Sequence, residues 1–147
     1  MKIIILLMQQ LKMENYKLFN NNKNHNWKII EEINWAKLIK KYPQTPYDKV
    51  GEYLKENYTL NEIINLEKFF VNKRKELQDV LKNCEITNCN DTLWDLSAHI
   101  TALGENVYNL CMKYTDIAKI IKLDAVENFE YGFTSAVFEL KNNENKV

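Results

Sequence analysis

The residues best suited to chemistry lie in the second half of the chain. Cys84 and Cys89 are followed by His99 and Cys111, which by type make a zinc ligand set. Structural zinc sites gather thiolate and imidazole donors in closely spaced pairs, usually Cys-x2–4-Cys followed by a second close pair. The first pair has that spacing, but His99 and Cys111 do not. On a continuous helix the two would stand about 18 Å apart, at 1.5 Å of rise per residue. Only a sharp break at Gly104 would bring them together. A cysteine nucleophile at Cys111 with His99 as its base would need the same break. The simpler expectation is ordinary buried or loop cysteines, with His99 a partly buried or surface residue of a helix. Ser97 and Ser135 lie within helical patterns and outside any Gly-x-Ser-x-Gly elbow.

Paired carboxylates are the other option. Asp91 and Asp95 are four residues apart and so share one helix face, an arrangement that suits general acid–base work. They also sit where a helix should begin, and there capping and the helix dipole account for them without catalysis. Asp124, Glu127 and Glu130 take the same explanation. Gly51, Gly104 and Gly132 are isolated, so no phosphate-cradling loop is present, and the His-Glu-x-x-His zinc pattern is absent. Trp27, Trp35 and Trp94 could stack a ligand, although packing in a core is the commoner role for tryptophan.

The elements that would position these residues read as helices. Glycine and proline number three and two in 147 residues, too few for the tight turns of an all-β fold. Residues 20–26, NNNKNHN, read as a polar loop with His25 exposed in it. From Glu31 to Tyr42, Ile33, Trp35, Leu38, Ile39 and Tyr42 fall near helical spacing. Pro43 ends that helix, and Thr45-Pro46 opens the next, with Val50, Tyr53 and Leu54 facing inward. Thr59-Leu60-Asn61-Glu62 is a capping box. It opens a helix to about Lys82, with Ile63, Leu66, Phe70, Leu77 and Leu81 as its apolar stripe. Lys73, Arg74 and Lys75 are expected to face water there. A further helix starts at Asn90 or Asp91, and Gly104 marks a kink or a close-packing point within it. Thr115-Asp116 begins a short helix. Asp124 caps a last one, whose core face is Ala125, Phe129, Phe133, Ala136, Val137 and Leu140. The predicted fold is all-α, a single domain built as an irregular antiparallel bundle of five to six helices. Residues 1–30 are expected to form an N-terminal extension and polar loop, 31–140 the helical domain, and 141–147 a frayed tail.

Composition narrows the partners. Formal net charge is zero, and lysines are interleaved with acids, as in Lys73-Arg74-Lys75-Glu76. Without a basic stripe, nucleic-acid binding is not expected. The single arginine, Arg74, weakens any scheme that needs bidentate recognition of phosphate. Three cysteines, an odd and low count, suggest a reducing and so cytoplasmic setting. The six apolar residues after Lys2 are too short for a signal peptide or a membrane span. They read as a strand or helix on the core (a strand over residues 3–7), as a weak membrane-surface anchor, or as upstream sequence before a true start at Met13.

The run from Asp91, DTLWDLSAHITALGENVYNLCMKYTDIAKI, resembles the central motif of a bacterial family known as domain of unknown function 4240. The family pattern is Asp-x-Phe-x-Asp-Phe-Arg-x-Trp-Leu-Ile-x-x-Gly-x-x-x-Tyr, followed by a Pro-Asp-x-Leu segment. Asp91, Leu93, Asp95, Leu96, Ile100, Gly104 and Tyr108 fall in register with it, and Asp116-Ile117 fit the later segment. LNEIINLEKFF and NFEYGFTSAVFEL resemble flanking helices of the family. Ser97 replaces an arginine of the pattern and His99 a tryptophan, and RKELQDVLKNCEI stands where a tryptophan-rich helix is usual. The resemblance implies a helical fold and a candidate ligand pocket at Asp91, Trp94, Asp95, His99 and Tyr108, but no assigned activity. The leading expectation is a non-enzymatic module that binds another protein without a cofactor, such as an immunity or inhibitor protein in microbial or phage conflict. The alternatives are a small-molecule site or enzyme at that pocket, and a zinc-stabilised module on Cys84, Cys89, His99 and Cys111.

Overall fold

The computed structural model describes residues 24–86, 89–122 and 129–144. Every regular element in them is helical: α1 (His25–Ile33), α2 (Trp35–Lys41), α3 (Pro46–Asn57), α4 (Leu60–Asn83), α5 (Asn90–Ala102), α6 (Glu105–Lys113), α7 (Asp116–Ile121) and α8 (Glu130–Glu144). The all-α expectation holds. The described residues form eight helices rather than five or six, because two of the expected helices are each divided by one residue.

Asn34 makes the first division. Its φ of 56° and ψ of 67° are left-handed, a conformation that asparagine tolerates better than most side chains. Its N–H closes α1 on the Glu31 carbonyl, and its side-chain oxygen accepts the Lys37 amide at 3.4 Å to open α2. One short polar residue therefore caps both helices. Gly104 makes the second, with φ at 111°. A Cβ added there would also sit 2.9 Å from Glu31 Cγ, so both expectations for Gly104 are met: the helix breaks and the Glu31 side chain of α1 packs closely against it.

Helix boundaries shift in three further places. His25 and Asn26, expected in the polar loop, form the first turn of α1, because the Asn24 side chain accepts the Asn26 amide at 2.8 Å. Helical structure thus begins before residue 31. At the other end, α8 includes Lys141–Glu144, the first four residues of the expected tail. At Thr59 the sequence reading is met in full: the hydroxyl accepts the Glu62 amide, and the Glu62 carboxylate accepts the Thr59 amide at 3.0 Å. Residues 3–7, Met13, Asp124, Ala125 and Glu127 lie outside the described residues.

Helix α8 packs most extensively on α3 and also on α4, while α4 lies along α5. The α3–α8 crossing is close because each helix places a glycine at the contact, Gly51 on α3 and Gly132 on α8. A Cβ on Gly132 would stand 2.6 Å from Val50 Cγ1 and 3.0 Å from the Tyr47 carbonyl. Four aromatic rings fill the space between α2, α4 and α8. Phe129 stacks on Phe70 at 4.9 Å and meets Trp35 and Phe133 edge-on at 5.2 and 5.4 Å, all within favourable aromatic geometry. All four are fully buried. Helix α5 is enclosed on every side in its second half: Leu96 through Ala102 are all buried. Its two hydroxyls are satisfied locally, Ser97 donating to the Leu93 carbonyl and Thr101 to that of Ser97.

Candidate functional site

The five candidate ligand residues have different surroundings. His99 is 4% exposed, and its Nδ1 accepts a hydrogen bond from Trp35 Nε1 at 3.1 Å. That bond ties α5 to α2 and satisfies an indole donor that would otherwise be buried without a partner. Tyr108 is buried too. Its hydroxyl donates to Glu76 on α4 at 3.0 Å, and its ring lies 5.3 Å from Trp27 on α1. Trp94 is 42% exposed, with the Arg74 guanidinium 4.4 Å from its ring centre. Asp91 is exposed, and Asp95 is half-buried and engaged. His99, Tyr108 and Trp94 thus each serve a different helix junction.

Burial and Glu76 push the Tyr108 phenol above the usual tyrosine range. A phenol that is raised in the folded state lends its full stability below the unfolded value of about 10 and loses it as pH climbs past that point. Tyr108→Phe should therefore cost about 1 kcal/mol at neutral pH, for the lost hydrogen bond, and flatten the decline of stability above pH ~10. Chemical denaturation of both proteins across that range checks this. A Tyr108→Phe profile parallel to wild type would contradict it.

Among the described residues, no three His, Cys, Asp or Glu side chains are placed to hold a metal ion. The cysteines of the zinc set have different surroundings: Cys89 is exposed at the start of α5, Cys84 is half-buried at the end of α4, and Cys111 is wholly buried on α6. Gly104 breaks the helix as the zinc reading required, but Cys111 turns into the core. Burial alone pushes the Cys111 thiol up to about 12, which leaves it inert. The Thr92 side chain and amide, with the Asp91 amide, hold the Cys89 thiol below its ordinary value. Iodoacetamide should therefore label Cys89 first at neutral pH and spare Cys111 until the protein unfolds. Peptide mass mapping over time reads the order, and early labelling of Cys111 would contradict the packing of α6.

Sequence reasoning missed a buried polar residue with partners on three helices. Arg74, expected in water, is only 5% exposed. Its Nε donates to Glu130 on α8 at 2.6 Å, its Nη1 donates to Gln78 at 2.8 Å, and its guanidinium lies under Trp94 of α5. The signal was in the spacing: Arg74 is four residues after Phe70 and three before Leu77, within the apolar stripe. One arginine joins α4, α5 and α8. Its guanidinium is already committed to protein partners, which leaves it poorly suited to bind phosphate.

Among the described residues, the large apolar side chains that do face water are Trp94, Tyr114, Ile120, Tyr131 and Phe138. Tyr131 and Phe138 are seven residues apart on α8, two turns along one face. They are 49% and 65% exposed, and Tyr47 of α3 meets the Tyr131 ring edge-on at 5.5 Å. On the flank of the same helix, Glu139 pairs with Lys55 of α3. No helix among the described residues is long and apolar enough to cross a membrane. No family model, curated protein or solved structure matches the chain.

Proposed function

We propose that this chain is a non-enzymatic protein-binding module whose contact face is the outer side of α8, centred on Tyr131 and Phe138. The observation that carries the reading is Phe138, 65% exposed and in line with a second exposed aromatic. Aromatic side chains on a common face are what partner surfaces use as anchors, and the water-facing part of these rings adds little to folding. Two residues of the candidate pocket support it as well: His99 and Tyr108 each hold one helix to another. An immunity or inhibitor role, a cytoplasmic location and distant kinship with the family it resembles belong to the same proposal.

The test is affinity capture from the cells that make the protein, with wild type against a Tyr131→Asp/Phe138→Asp variant. Wild type should retain a defined partner that the variant loses, at equal thermal stability. Recovery of the same partner by both proteins would remove α8 as the contact face.

A further inference from the structure

We draw no further inference here: the strongest candidate, the outward lysine face of α2 formed by Lys37, Lys40 and Lys41, is surface charge near a helix C-terminus, where the dipole favours cations, and nothing in the structure shows what covers it.

Discussion

Replacing Arg74 with methionine is expected to destabilise the protein by roughly 3–5 kcal/mol, the cost of removing one partner from a buried ion pair. The Glu130 side chain is 13% exposed, so water can replace the guanidinium only in part. Removing the charge at both ends should recover much of the loss. Arg74→Met/Glu130→Gln is therefore expected to be more stable than Arg74→Met alone. Arg74→Lys should fall between wild type and Arg74→Met, because an ammonium keeps the charge but neither the fork that reaches Glu130 and Gln78 together nor the flat stack on Trp94. Urea denaturation of these four proteins and of Glu130→Gln, which completes the double-mutant cycle, measures these differences. Additive losses in the double variant would mean that Arg74 and Glu130 are not coupled, and that α8 is held to α4 by packing alone.

The second large effect is expected at Phe129, the residue just before α8. Phe129→Ala removes the ring that touches Trp35, Phe70 and Phe133. Loss of a buried phenylalanine costs about 3–5 kcal/mol, through lost transfer energy and the cavity left behind. In a domain of this size that lowers Tm by roughly 10 °C. Phe138→Ala, nine residues further along the chain and within α8, should change stability by no more than about 0.5 kcal/mol, because its ring gains little from folding. Thermal melts of the two variants separate the core at the start of α8 from the helix's outer face. Similar losses in both would show that Phe138 is part of the core, and the proposed contact face would fall with it.

Much of the fold was readable wherever a local rule had one physical outcome. The Thr59 box, the proline at the start of α3 and the apolar stripes of α4 and α8 each fix backbone hydrogen bonds or a buried face over a few residues. Asn34 was harder, because nothing in Glu31–Tyr42 interrupts the helical spacing. The division comes from an asparagine that adopts a left-handed conformation and caps in both directions. Arg74 was misread because the Lys-Arg-Lys triplet resembles a solvated face, whereas its place in the stripe depends on a partner 56 residues away on α8. The same applies to the candidate site. Asp91, Asp95, His99 and Tyr108 are polar residues in a helical motif, and sequence cannot distinguish a residue that faces a pocket from one that fastens two helices. That distinction rests on Trp35 and Glu76, which reach His99 and Tyr108 from elsewhere in the chain.

The account turns on whether the outer face of α8 meets another protein. A photoreactive phenylalanine analogue at position 138, irradiated in the cells that make the protein, tests this directly, with the same analogue at the exposed Lys37 position as a control. A discrete crosslinked species from position 138, absent from position 37, is the predicted result. No crosslink at 138, or the same products from both positions, would contradict it.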